Sequence, residues 1–149
     1  MVLDCSINLL KIIMSNLQQT LSIIKPDAVE RNLIEKIKDF FTKNNLKIFK
    51  EKKVKISKEE AAEFYKIHET KPFYKDLCNY LSSGPIIVMV LEGENAVLKN
   101  RELMGATDPK KAQDGTLRKM YGISIDKNSV HGSDSIENAK IEINFFFKK

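Results

Sequence analysis

Cysteine is scarce in this chain. Cys5 and Cys78 are the only two in 149 residues, they lie far apart, and they match no metal-ligand spacing. Neither a disulfide nor a zinc site is expected, and unpaired thiols fit a reducing, cytoplasmic setting. Long apolar runs are missing as well. Ile7 to Met14 is broken by Asn8 and Lys11 and is too short to cross a bilayer. It lacks the basic start and small-residue cleavage site of a signal peptide, and Asp4 argues against a transit peptide. No glycine-rich phosphate loop of either common spacing occurs, so any bound phosphate must be held by side chains. Paired aromatics on adjacent strands, the mark of an RNA-binding sheet, are absent too, and nucleic acid is not indicated despite the net charge of +5.

Arginine and histidine are the informative scarcities. Three arginines (Arg31, Arg101, Arg118) stand against 22 lysines. The evenly scattered lysines read as a solvated face. Arginine's planar fork grips phosphate oxygens in a way lysine cannot copy, and two of the three fall between residues 101 and 118. Of the two histidines, His68 sits at a helix end beside Glu69 and reads as a surface or capping residue. His131 lies in Asn128-Ser129-Val130-His131-Gly132-Ser133-Asp134-Ser135, a small polar setting. Imidazole is largely an uncharged nucleophile at neutral pH. The glycine after it is expected to leave room for a bulky electrophile, and the Ser-Asp-Ser run reads as a helix start.

The length suits one domain with a proper core. The patterned chain begins at Thr20, so residues 1–19 are expected to be a disordered or artefactual extension, with translation starting at Met14, and residues 20–149 the domain itself. Thr20 to Lys25 reads as a buried strand ended by Pro26, which suits a helix's first turn. Leu33, Ile34, Ile37, Phe40 and Phe41 follow at helical spacing, with Asn44-Asn45 closing the helix. Leu46 to Ile56 alternates as a second strand. Ser57 to Glu60 is a capping-box start for a helix to about His68, and a further helix spans Phe73 to Leu81. Ile86 to Leu91, a continuous apolar run, reads as a central strand. Then come a helix from Asn95 to Met104, a loop to about Arg118, a short strand carrying His131, and a last helix. This order predicts an antiparallel sheet with helices on one side.

Six segments stand in one order: Lys25-Pro26-Asp27-Ala28, Lys71-Pro72-Phe73, Ser83-Gly84-Pro85, Gly105-Ala106-Thr107-Asp108-Pro109, Gly115-Thr116-Leu117-Arg118 and His131-Gly132-Ser133-Asp134-Ser135. Together they resemble the successive landmarks of nucleoside diphosphate kinases, most of all the bacterial type, over essentially all of residues 20 to 147. The resemblance implies an α+β, ferredoxin-like fold, a four-stranded antiparallel sheet covered by helices with an inserted helix pair. It implies transfer of a nucleoside triphosphate's γ-phosphate to a nucleoside diphosphate, ping-pong through phosphohistidine at His131. Lys25 would contact phosphates and ribose, and Tyr65 would orient the histidine region. Phe73 would stack on the base, with Leu77 nearby and Ile125 facing it. Arg101, Thr107 and Arg118 would grip phosphates, Asn128 the ribose, and Ser133 and Glu142 would buttress His131. The resemblance further implies Mg2+ carried on the nucleotide and a homo-oligomer, tetramer or hexamer. Residue by residue, Tyr65 and Leu77 fit a core stripe equally well, Phe73 fits a hydrophobic staple, and Glu142 fits a solvated helix face. Glu35 replaces a glycine usual in the family, and Asp114 replaces a proline of many hexameric members.

Overall fold

A computed structural model describes residues 16–147. Four strands, β1 (Leu17–Ile24), β2 (Lys47–Val54), β3 (Ile86–Glu94) and β4 (Val130–Gly132), form one sheet in the order β2-β3-β1-β4. Every pairing is antiparallel. β1 starts at Leu17, paired with Glu94, ahead of the expected Thr20. The polar residues Gln18 and Gln19 hid this end, because they sit where the strand leaves the core. Most of the expected amino-terminal extension, including the start at Met14, lies outside the described residues.

Seven α-helices accompany the sheet among the described residues: α1 (Pro26–Glu30), α2 (Ile34–Lys43), α3 (Lys58–Phe64), α4 (Tyr74–Leu81), α5 (Ala96–Met104), α6 (Leu117–Tyr121) and α7 (Ile136–Phe147). The stretch after Pro26 is two helices, because Asn32 takes a left-handed φ of 61° between them. α3 begins on the expected capping box. Glu60 N–H donates to Ser57 Oγ at 3.0 Å, and Ser57 N–H donates to the Glu60 carboxylate at 3.1 Å. It ends at Phe64, with only a 3-10 turn continuing to His68. The segment expected to be a loop up to Arg118 contains a 3-10 turn at Pro109–Lys111. Arg118 itself lies on α6, whose N–H of Lys119 is capped by Thr116 Oγ1.

The helices cover both faces of the sheet, correcting the one-sided expectation. Ile24, Ile87, Met89 and Leu91 pack with Ile37, Phe41, Ala96, Met104 and Leu117. Leu21, Ile23, Ile86 and Val88 pack with Ala61, Tyr65, Cys78, Leu81 and Phe146. Since side chains alternate across a strand, an unbroken apolar β3 needs a cover on each face. Cys78 is a free, buried thiol. Among the described residues no helix is long and apolar enough to cross a membrane.

Candidate active site

His131 is the middle residue of β4, at the sheet edge beside Ile23 of β1. Its ring is largely enclosed, with 19% of the side chain exposed. Nε2 lies 2.9 Å from Oε1 of Glu142, and Ser133 Oγ donates to the same oxygen at 2.8 Å. Ser133, fully buried, in turn accepts from Leu21 N–H at 3.3 Å. A carboxylate fixes the proton on the nitrogen it faces, so Nε2 carries hydrogen and Nδ1 keeps its lone pair. Glu142 therefore points inward from α7 and is not the solvated helix residue its spacing also allowed. The helix that carries it is capped by Ser135, whose Oγ accepts from Asn138 N–H at 3.0 Å.

Two aromatic rings meet the imidazole edge to face. Tyr65 lies 6.3 Å away between centroids, and Phe64, which the sequence did not single out, lies 5.3 Å away. Phe64 also touches Phe145 and Phe146, so in the sequence it reads as ordinary core. Tyr65 is buried and its hydroxyl has no partner; burial, with Glu142 nearby, pushes its ionisation well above the usual tyrosine range.

The cations come from three elements. Lys25, at the end of β1, is buried and donates through Nζ to Asn128 Oδ1 at 3.0 Å. Burial, then Arg118, lowers its pKa to about 8 against the pull of Asp27 and Asp126. Arg118 is buried on α6 and spans two backbone carbonyls, Gly105 and Val130, each at 3.0 Å. Its Nε is buried without a partner, and burial together with Arg101 lowers its pKa to about 10. Arg101 is exposed on α5, lining a shallow hollow with Asp134 and Ser135. Asn128 Nδ2 donates to the backbone carbonyl of Thr107 at 3.1 Å, which joins the ribose and phosphate candidates. Phe73 (44% exposed) and Ile125 (55% exposed) offer apolar surface to solvent, whereas Leu77 packs half-buried on the second core cluster.

Two readings of single residues change. His68 keeps its place at a helix end but is half-buried: it packs against Tyr65 and Phe73, its Nδ1 is buried without a partner, and burial with nearby Lys71 lowers its pKa. Gly132 does not make room for the electrophile, because neighbouring strand residues face opposite ways. A Cβ there would lie 2.3 Å from Asn100 Nδ2 and 2.7 Å from Met104 Cε, so the glycine is needed for α5 to approach. A groove of about 740 Å³ between β2 and α7, lined by Lys52, Glu60 and Phe145 among others, contains none of the site residues.

A free imidazole nitrogen, on a segment whose neighbouring residues Asn128 and Val130 hold the buried cations Lys25 and Arg118, suits transfer of an anionic group through histidine. Comparison with known proteins narrows the class. The family model for nucleoside diphosphate kinase matches residues 18–149. Nucleoside diphosphate kinases of Wolinella succinogenes and Campylobacter hominis are 60% and 63% identical to the chain, each covering 88% of it and 96% of the relative. The crystal structure of the Aquifex aeolicus nucleoside diphosphate kinase superimposes with a TM-score of 0.86 at 39% identity, over 89% of this chain and 96% of that one. That of the apo enzyme from Encephalitozoon cuniculi gives 0.86 at 36%, over 89% and 90%. The chain belongs to the nucleoside diphosphate kinase family, and it is an enzyme of that activity.

Proposed function

We propose that phosphate passes through Nδ1 of His131. The lone pair on Nδ1 attacks the γ-phosphorus of a nucleoside triphosphate, the bond to the β–γ bridging oxygen breaks, and a nucleoside diphosphate leaves. A second nucleoside diphosphate then attacks the phosphohistidine by the reverse route, so one site serves both halves. The observation that carries this reading is the commitment of Nε2 to Glu142, which leaves only Nδ1 to react. As the N–P bond forms, positive charge grows on the ring, and the fixed carboxylate offsets it. Lys25, Arg101, Thr107 and Arg118 face the phosphates, Arg118 by its field and by the second N–H of each terminal nitrogen, the first being held by the Gly105 and Val130 carbonyls. Asn128 takes the ribose, Phe73 and Ile125 hold the base, and Leu77 backs them. Stacking without base-edge contacts suits any base.

Magnesium fits this site as a passenger on the nucleotide. Among the described residues no group of three metal-ligating side chains occurs, and the Asp27 carboxylate is already taken by Arg31, Ser129 and Tyr80. Mg2+ commonly binds through phosphates with few protein ligands, and when bound it neutralises charge on the transferring group. We also read the protein as cytoplasmic and as a homo-oligomer, tetramer or hexamer; the edge position of β2 and its exposed Phe49 support self-association.

The test is direct. Incubation with γ-labelled ATP and magnesium should place an acid-labile, base-stable label on the protein that passes to GDP. His131→Ala should abolish both. Retained transfer in that variant would sink the assignment.

A further inference from the structure

The polar groups that phosphotransfer leaves over converge on one buried carboxylate, Asp27, at the start of α1. One of its oxygens accepts from Ser129 Oγ at 2.9 Å and from Arg31 Nη2 at 3.0 Å. The other accepts from the Tyr80 hydroxyl, and the Asp27 N–H donates back to that hydroxyl oxygen at 2.7 Å. Arg31 also reaches Ser129 Oγ, at 3.2 Å. A buried carboxylate is costly unless its lone pairs are filled, and these are filled from three parts of the chain.

Ser129 shows what the arrangement is for. It is fully buried and holds a left-handed φ of 75°, which side-chain-bearing residues avoid. Such a conformation persists only where the surroundings over-determine it. Its carbonyl accepts from Lys25 N–H at 2.8 Å. Before it stands Asn128, bonded to Lys25 Nζ; after it stands Val130, whose carbonyl holds Arg118; next comes His131. The conformation of Ser129 thus sets how the nucleotide-facing side chains sit relative to β4.

We propose that Asp27 is a positioning residue for the nucleotide: through Ser129 Oγ it locks the left-handed turn that sets Asn128 against Lys25, with Tyr80 and Arg31 holding the carboxylate in place. The proposal rests on the reading of Lys25 and Asn128 as nucleotide contacts. The imidazole is oriented separately, by Glu142 and Ser133, so the network serves the nucleotide more than the nucleophile.

The experiment separates the two with phosphoramidate, a small donor that carries no nucleoside. Its P–N bond breaks, ammonia leaves, and an Nδ1–P bond forms on His131. The phosphoenzyme is then challenged with increasing GDP. Ser129→Ala, Ser129→Gly, Tyr80→Phe and Asp27→Asn in the full chain should take up phosphate from phosphoramidate at the parent rate. Their KM for GDP should rise, about tenfold in the Ser129 variants, the scale of one lost hydrogen bond to a charged group. Ser129→Gly is the sharpest arm. Glycine removes the strain as well as the tie, so a GDP KM at or below the parent's would mean backbone conformation alone matters and would overturn the proposal. So would an unchanged KM in Ser129→Ala, or an equal loss of phosphoramidate labelling, which marks general damage to the fold. Should Asp27→Asn fail to fold, the Ser129 and Tyr80 variants decide the matter. If the parent itself takes no label, it is the phosphohistidine reading that has failed, and this proposal falls with it.

Discussion

Glu142 and His131, on different elements and eleven residues apart, share a hydrogen bond of 2.9 Å that leaves one ring nitrogen free. Removing the carboxylate by Glu142→Ala should slow phosphoenzyme formation by about 10²- to 10³-fold, the usual loss when one preorganised electrostatic partner is deleted. Rapid-quench measurement of the first turnover reads this directly, and a loss confined to GDP binding would contradict the assigned role.

Lys25 makes binding sensitive to alkaline pH. Its folded pKa is about 8 against an ordinary 10.5, because burial and Arg118 favour the neutral amine. In the free enzyme the ammonium is lost as pH rises through about 8, so nucleotide affinity should fall there. Bound phosphate restores the charge, so binding near that pH should take up a proton, measurable by calorimetry in buffers of different ionisation enthalpy. Lys25→Ala should remove the uptake. The sign for stability is opposite: the unfolded chain holds the proton more tightly between about 8 and 10.5, so this group's penalty is full below that window and relaxes above it.

Gly132→Ala should destabilise by about 1 kcal/mol, at the low end for overpacking because Asn100 and Met104 meet the new methyl with the ends of flexible side chains. Thermal melts check it. Adding Asn100→Ala should return part of the loss, since that side chain is fully buried with both polar atoms unpaired.

Tyr65→Phe should leave the melting temperature equal or higher, because the buried hydroxyl it removes has no partner. Phosphoenzyme formation should nonetheless slow by about tenfold if that hydroxyl meets the transferring group, the worth of one hydrogen bond to a charged acceptor. An unchanged rate would make Tyr65 a packing residue only.

How much of this was legible in the sequence varies by feature. Capping residues were readable because their chemistry is local: Ser57 with Glu60, and the polar run that starts α7 at Ser135, both stand where expected. The apolar β3 was readable as central, but the expected cover was one-sided, whereas its unbroken run has helices on both faces. The break at Asn32 was not visible, because apolar spacing continues across it. Side-chain direction was the main loss. Gly132 looked like clearance for substrate until strand alternation turned it toward α5, and one side of His68 proved to pack against Tyr65 and Phe73. Asp27, Ser129 and Tyr80 could not be joined in advance, since their union depends on chain segments up to 102 residues apart.

His131 sits on β4, the shortest strand and an outer one, paired with β1 over only Ser22–Gly132, Ile23–His131 and Ile24–Val130. So short a ladder at a sheet edge has little cooperativity of its own. The amides of β4 should therefore exchange with solvent deuterium sooner than those at the centre of β3. The ring's precision comes from the ties around it, through Glu142 and Ser133, so evolution could retune this enzyme's working temperature at those ties without touching the hydrophobic layers beneath.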